Sequence, residues 1–423
     1  MLVTILIDYV AGILIEKTTT RTKKKAYLIV SIISTCLVLF VFKYFDFFNE
    51  NMLLLSQRFG FYYPHDLVKF ILPIGLSFHT FQSLSYVIEV YKGKQKAETH
   101  FGIYSLYVMF YPQLVTGPIE RPQNLLVQLQ EKKTFKYENI SHGLRLFLFG
   151  LFTKMVIADN IAVYVDMIYK DPANYNSVSI LTGLILYSFQ IYCDFYGYST
   201  IAVGCAKVMG YDLMDNFKNP YLSKSIGEFW QRWHISLSSW FRDYVYFPLG
   251  GNKVKVPRWV LNIMIVFIIS GLWHGANWTF ILWGFAHGSI YVIERFILSI
   301  FKLKYPVNKI LNWIIACFNI IKTFIVVTFI WVLFRASTIQ EAKLIFKSIA
   351  KNWNIHDNFT IEPRIILFLL FFIIVDTFLF NSRFDYWCNK RNMITRWAFY
   401  GILLFSIIVF SNINNFPFIY FQF

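Results

Sequence analysis

The run Phe229–Asn252, FWQRWHISLSSWFRDYVYFPLGGN, packs three Trp, one His, two Arg and one Asp into a short space and then stops at Pro248 and Gly250-Gly251. A second unusual run follows at Gly271–Trp278, GLWHGANW, with another His. Both stand in a chain that is otherwise oily. Trp, Arg and His crowded between apolar segments read as lining rather than as plain loop, and the two runs read as walls of one buried site.

Working outward, the composition sets the frame. Of 423 residues, 57% are hydrophobic and 20% aromatic, and only 15% are charged, against about 25% in a soluble domain. Several apolar runs reach the roughly 20 residues a helix needs to span a bilayer. The fold class expected is all-α: a polytopic transmembrane helical bundle in the cell (plasma) membrane, forming a single membrane domain over 1–423 with its catalytic core at about 216–290. The net charge of +16 comes from basic residues in the loops between apolar spans. The positive-inside rule and anionic membrane lipid account for it, and no nucleic acid is expected. Cys36, Cys193, Cys205, Cys317 and Cys388 form no CxxC pair, so neither a disulfide framework nor a zinc site is indicated. Met1–Ile15 lacks a basic n-region and an A-x-A site, so no cleavable signal peptide is expected.

The spans follow in order. Met1–Ile15 is short, Glu16–Lys25 is basic and is placed in the cytoplasm, and Ala26–Phe45 crosses outward. Asn49–Asp66 is polar and aromatic and is expected as an external loop, and Val68–Tyr91 returns. Phe101–Gly117, with Pro112 and Gln113 inside it and basic residues on both sides, reads as re-entrant, because irregular backbone at membrane depth is tolerated where it lines a cavity. Gly143–Ile168 and Ile180–Val203 pair across a short external loop. Asp194 in the second must face protein or water, and an Arg or Tyr partner is the bland reading. Asn216–Arg258 is basic yet aromatic, and reads as one or two short helices dipping into the cytoplasmic face. Trp259–Trp273, Trp278–Leu298, Leu311–Phe334, Ile365–Phe380 and Ala398–Phe410 complete about ten crossings. Arg335–Lys351 has the spacing of an interfacial amphipathic helix, but its lysines fall outside in this topology, against the positive-inside rule.

On one continuous helix, Trp230, His234 and Ser238 would share a face, with Trp233, Leu237, Trp240 and Tyr244 on the next stripe. His is suited to proton transfer near neutral pH, and Arg232 and Arg242 to phosphate or carboxylate. The bland alternatives are a hydrogen-bonded interfacial His234 and an Arg242 paired with Asp243 or Asp194. Gly271/Gly275 and Gly284/Gly288 read first as helix-packing pairs. That packing does not call for His274 between Trp273 and Asn277, and an intramembrane ionisable group is a functional candidate. His79, His234, His274 and His287 lack metal-ligand spacing, so no metal is expected. Residue types alone stop at a membrane-embedded His site with a basic mouth.

The two runs resemble the signature of the membrane-bound O-acyltransferase superfamily, in its alginate O-acetyltransferase-like branch. So do Leu72–Phe78 with Thr80-Phe-Gln82, Glu89–Gly93, Phe110–Ile119, Asn219-Pro-Tyr221, Phe334-Arg-Ala336 and the terminal Phe-Ile-Tyr-Phe-Gln-Phe. The likeness runs from near Asp8 to the end, and members of this branch usually carry further apolar segments before that position, so a shortened start is expected. The resemblance implies transfer of an acetyl group from a cytoplasmic donor to hydroxyls of an extracytoplasmic polysaccharide, directly or through a secreted or periplasmic SGNH-type acetyltransferase partner. It places the catalytic role on His274 and a second on His234. No bound cofactor is implied; acetyl-CoA, or a carrier-linked acyl thioester, is the donor substrate. Donor or substrate contacts are then expected from Trp230, Arg232, Trp233, Arg242, Asp243, Tyr244, Trp273 and Asn277. Lys253 and Lys255 join Arg232 and Arg242 at the donor's phosphates, and Asn277 or the Trp273 N–H holds the tetrahedral oxygen. D-alanyl transfer to teichoic acid ranks second, because that branch shares the RWHISLS core but usually lacks the Pro-Leu-Gly-Gly-Asn run. A non-catalytic scaffold or lipid transporter and a long-chain lipid acyltransferase are the other classes.

Overall fold

The structure, a computed structural model, describes residues 1–64, 70, 73, 75–114, 117–301, 308–380 and 382–411. The start of the expected Val68–Tyr91 span, parts of the 72–78 and 110–119 motifs, Lys302 and Lys304 of the basic loop expected after Trp278–Leu298, and the terminal 418–423 run lie outside the described residues.

The described residues are nearly all helical, and no strand occurs among them. Among the described residues seven helical stretches are long and apolar enough to cross a membrane: Arg21–Phe59, Tyr137–Lys170, Ser177–Val208, Val256–His274, Trp278–Ile300, Lys309–Arg335 and Met393–Phe410. The other three expected crossings fall on helices of 16 residues, Leu2–Lys17, Leu76–Tyr91 and Pro363–Phe378. Each of these rises about 24 Å, short of the roughly 30 Å hydrocarbon core without its flanks. The ends follow ordinary capping chemistry. The side chains of Asn308, Thr338 and Asn392 accept from backbone N–H groups of the first turn, and Pro257 and Pro363 sit where no helical donor is missed.

Three expectations are corrected. Asn49–Phe59 is no loop, because Phe45–Phe59 continues the preceding helix through a π-helical turn at Phe40–Tyr44 and ends only at Gly60, in left-handed conformation. Arg335 closes the long helix Lys309–Arg335, and the amphipathic helix is Ile339–Lys351, burying Ala342, Ile345 and Ser348. Asp194, expected beside an Arg or Tyr, has Lys154 as an ion-pair partner, whose Nζ lies 2.6 Å from Asp194 Oδ1 and 2.5 Å from Asp159 Oδ1.

The chain forms two compact units. The first comprises Met1–Lys136 and Met209–Met214. Within it Asp8, fully buried, accepts from Ser31 Oγ at 2.6 Å and from Thr35 Oγ1 at 3.0 Å. Phe101–Val108 and Tyr111–Leu114 are two short helices, neither long enough to cross. The 209–214 strip is stitched in by Gln128, which accepts from Asp212 N and donates to Asp212 O.

The second unit comprises Tyr137–Val208 and Asp215–Phe423. Helices Tyr137–Lys170 and Ser177–Val208 approach with backbone touching backbone. A Cβ at Gly150 would stand 2.7 Å from the Gly197 carbonyl, and one at Gly197 2.9 Å from the Gly150 carbonyl. Such contact is closer than any side chain allows. The hairpin of Val256–His274 and Trp278–Phe301 closes the same way, since a Cβ on Gly271 would overlap the Phe280 carbonyl and one on Gly284 that of Phe267. Helix packing is therefore the structural use of these glycines, and it fixes the helix end that carries His274.

Candidate active site

The continuous helix expected through Trp230, His234 and Ser238 does not form. Ile226–Arg232 ends with Trp233 extended, His234 takes a left-handed backbone conformation (φ 41°, ψ 56°), and Ile235–Phe241 begins beyond it. The cause is the segment around Asn216, which competes for the backbone at this point. Lys218 N donates to Arg232 O at 3.0 Å, and Ile235 N to Asn216 O at 2.9 Å. A left-handed non-Gly residue costs of order 1 kcal/mol or more and is held only by its surroundings.

His234 is fully buried. Its Nδ1 lies 3.3 Å from Asn216 Oδ1, which also accepts from Ser236 N (3.3 Å) and Ser236 Oγ (2.6 Å). Asn216 Nδ2 donates to Ser199 Oγ at 3.1 Å. A backbone N–H can only donate, so the amide orientation is fixed, and Nδ1 of a neutral His234 must carry the proton. The lone pair then sits on Nε2, which is buried with no hydrogen-bond partner among the described residues.

His274 ends the helix Val256–His274 and is 4% exposed. Its ring meets Trp273 at 4.9 Å, Trp283 at 5.2 Å and Phe334 at 5.2 Å between centroids. Trp273 also stands 6.3 Å from the His234 ring. The two histidines thus share one indole as neighbour, although 40 residues separate them in sequence. Asn277 Nδ2 donates to Ser337 O at 2.7 Å, and its Oδ1 accepts from Thr279 N.

The other expected contacts divide. Trp230 joins the aromatic cluster behind His274, at 5.6 Å from Trp283. Trp233 is core, against Phe229, Phe217 and Trp331. Arg232 is bound to Glu228 Oε1 at 2.9 Å, to Lys218 O at 2.9 Å and over the Phe380 ring. Arg242 is exposed and pairs with Asp243 at 2.9 Å, the bland alternative of the sequence reading. Tyr244 packs on Trp240. Arg242–Tyr246 is a π-helical turn. Lys253 and Lys255 are exposed.

Asn216 opens a cavity that the sequence reading missed. It measures about 490 Å³, and its lining includes Tyr192, Asp215, Asn216, Lys218, Asp376 and Arg383. Asn219 Nδ2 donates to Asp376 O and Oδ1, and Tyr192 Oη donates to Asp376 Oδ1 at 3.0 Å. Arg383 binds Asp385 at 2.8 Å and approaches Asp215 at 3.5 Å. Burial raises the Asp215 carboxyl pKa, with Arg383 and Lys218 opposing. The only legible signal was the polar cluster Asp215-Asn216 just before the quoted Asn219-Pro-Tyr221 motif. Among the described residues no group of three His, Cys, Asp or Glu could hold a metal ion.

Comparison with known proteins bears on this geometry. A family model described as the membrane-bound O-acyltransferase family matches residues 99–338, which contain both histidines and their cage. The peptidoglycan O-acetyltransferase of Helicobacter pylori is 34% identical over 370 residues, 81% of this chain and 68% of the relative. A probable alginate O-acetylase, AlgI, of Pseudomonas aeruginosa is 37% identical over 336 residues, 79% of this chain and 62% of the relative. The teichoic acid D-alanyltransferase of Bacillus subtilis is 30% identical over 243 residues, 55% of this chain and 60% of the relative. The chain thus spans about two thirds of the length of these relatives.

Proposed function

Because the chain belongs to the membrane-bound O-acyltransferase family and is a multi-pass membrane acyltransferase, we propose that it moves an acetyl group from a cytoplasmic thioester to hydroxyls of an extracytoplasmic polysaccharide. The observation that carries this reading is His274, buried at the end of a 19-residue span among three aromatic rings and one indole away from His234. The relatives' names, O-acetyl transfer to peptidoglycan and to alginate, support the acetyl group and the polymer class.

In the reaction, His274 takes the proton of an acceptor hydroxyl. The oxygen attacks the thioester carbonyl, the new C–O bond forms, the C–S bond breaks, and the proton passes to the leaving thiolate. Removal of a positioned base costs about 10²–10⁴ in rate. His234, with its lone pair on Nε2, assists as the second imidazole. Acetyl-CoA is the donor proposed. Lys218 and Arg383 of the Asn216 cavity, with Arg242, Lys253 and Lys255 at the surface, supply cations for its phosphates. The acceptor is the polymer itself or a Ser of an SGNH-type partner that completes transfer, and the basic loops meet anionic membrane lipid.

The test is His274→Ala, scored for polymer acetate and for membrane abundance. Acetate should vanish while abundance holds, because one imidazole adds little to a bundle this size. Near-normal acetate would remove the assignment and favour a scaffold or transporter. The teichoic acid relative supports D-alanyl transfer as the second reading, and D-alanine instead of acetate in the ester fraction released from the polymer would establish it.

A further inference from the structure

Between the spans Trp278–Phe301 and Lys309–Arg335 lies a second cavity, of about 550 Å³. The volume falls within the roughly 300–1,000 Å³ of ligand sites. The cavity stands apart from the histidines: eleven residues, about 16 Å of helix, separate Glu294 in its wall from the Trp283 that touches His274. Most of the wall is aliphatic, with Ile226, Ile290, Ile293, Ile297, Ile315 and Val326. Ile293 and Ile297 are exposed on a spanning helix, so the cavity opens toward hydrocarbon.

Set into this oily wall are charges. Glu294 and Lys322 each lie inside a span, where an ionisable group is expensive and is a functional candidate by default. Lys322 Nζ stands 3.5 Å from Glu294 Oε1, beyond the about 2.7–2.9 Å of a charge-assisted hydrogen bond, so the ammonium keeps donors to spare. The carboxylates are already engaged. Glu294 Oε2 accepts from Ile226 N at 2.9 Å, Glu228 Oε1 from Arg232 Nε at 2.9 Å and Glu228 Oε2 from Lys224 N at 2.8 Å. Lys224 is exposed and pairs with no carboxylate among the described residues, and the half-buried Asn319 side chain has no hydrogen-bond partner among them. With Arg232 bound to Glu228, three cations meet two carboxylates here. The wall thus offers one excess positive charge, several free donors and a hydrocarbon surface.

We infer that this cavity binds an anionic glycerophospholipid. Its phosphodiester lies on Lys322, Lys224 and the Asn319 amide, and the upper part of its acyl chains lies along Ile290, Ile293 and Ile297 before entering the bilayer. A single negative charge, acceptor oxygens and hydrocarbon are what the wall lacks. Such a built site differs from the diffuse attraction of basic loops to a charged leaflet. It also lies where three elements meet: Glu294 of one span accepts the Ile226 N–H that opens Ile226–Arg232 and faces Lys322 of the other span. Ile226–Arg232 leads into the turn at His234, so the lipid braces the segment that presents that imidazole. The site stands whatever reaction the histidines serve.

The test uses the full-length protein, purified in detergent and stripped of lipid, with native mass spectrometry for bound lipid and the thermal unfolding midpoint as readouts. Phosphatidylglycerol should bind one to one and raise the midpoint. Phosphatidylethanolamine, of zero net charge, should bind ten-fold or more weakly. Diacylglycerol, which lacks the phosphate, and glycerol 3-phosphate, which lacks the chains, should do neither. Lys322→Gln should weaken phosphatidylglycerol ten-fold or more. Lys224→Gln and Asn319→Leu should act in the same direction, and Lys224→Gln, at an exposed position, decides the matter if Lys322→Gln does not fold. Lys343→Gln, an exposed lysine on another helix, should change nothing. Equal binding of diacylglycerol would reduce the cavity to an apolar crevice, equal binding of glycerol 3-phosphate to an anion site, and equal binding of phosphatidylethanolamine would remove the charge selectivity. Each of these results overturns the inference, as does unchanged phosphatidylglycerol affinity in the lysine variants.

Discussion

Asn216 Oδ1 lies 3.3 Å from His234 Nδ1 and simultaneously accepts the Ser236 backbone N–H. One amide therefore sets both the tautomer of the imidazole and the backbone turn that presents it. Asn216→Ala should leave the helices in place, since Ile235 N bonds to the backbone oxygen of residue 216 and not to its side chain. It should nonetheless free the ring to turn and to exchange tautomers. Polymer acetylation should fall by about ten-fold or more, up to the 10²–10⁴ of losing a base outright, with membrane abundance reduced far less. A mutant with normal acetylation would show that His234 needs no fixed tautomer.

Arg242 is 58% exposed in its side chain and pairs with Asp243. Exposed ion pairs are worth about 0–1 kcal/mol, so Arg242→Lys should hardly change abundance. If Arg242 meets the donor's phosphates, the loss of a planar bidentate contact weakens donor binding by roughly 1.5–3 kcal/mol, with acceptor KM unchanged. Reduced abundance with unchanged donor affinity would assign Arg242 to the fold alone.

The positive-inside rule leads us to propose that Lys23–Lys25 is cytoplasmic and the Asp171–Ser177 loop external. In intact cells an impermeant maleimide should label Asn174→Cys and miss Thr19→Cys, both read against a background with the native cysteines removed. The opposite labelling would invert the topology.

Asp385, in the short helix Phe384–Asn389 between spans, provides a pH test. Burial pushes its carboxyl up, but the hydrogen bonds and charge of Arg383, with His142 at 2.9 Å, outweigh burial and hold it below the ordinary carboxylate range. A depressed folded-state pKa contributes stability that is present above the unfolded pKa, near 3.9. It is lost as pH falls through the folded value. The unfolding midpoint of the purified protein should drop with acid below about pH 4. Asp385→Asn should start lower and flatten that acid limb. An identical slope in wild type and mutant would remove Asp385 from the acid response.

The bundle was legible because its signal is additive: a span of some twenty apolar residues, such as Leu311–Phe334, announces itself whatever its neighbours do. His274 was legible for the converse reason, as an imidazole placed where the run around it is oily. The break at His234 was not, because it is imposed by Asn216 from 18 residues away. Local spacing, which put Trp230, His234 and Ser238 on one face, carries no trace of that competition for backbone hydrogen bonds. Lys154 as the partner of Asp194 was hidden for the same reason: a lysine inside a span gains its meaning from the helix packed beside it.

The left-handed backbone at His234 has a further consequence. At such a position stability alone would choose glycine, for which φ near 41° is free of steric cost. A search for more stable variants of this protein would therefore be drawn to His234→Gly and rewarded with a more relaxed turn, at the expense of the imidazole and its Nε2 lone pair. Stability and chemistry point in opposite directions at this residue, and selecting for one alone would erase the other.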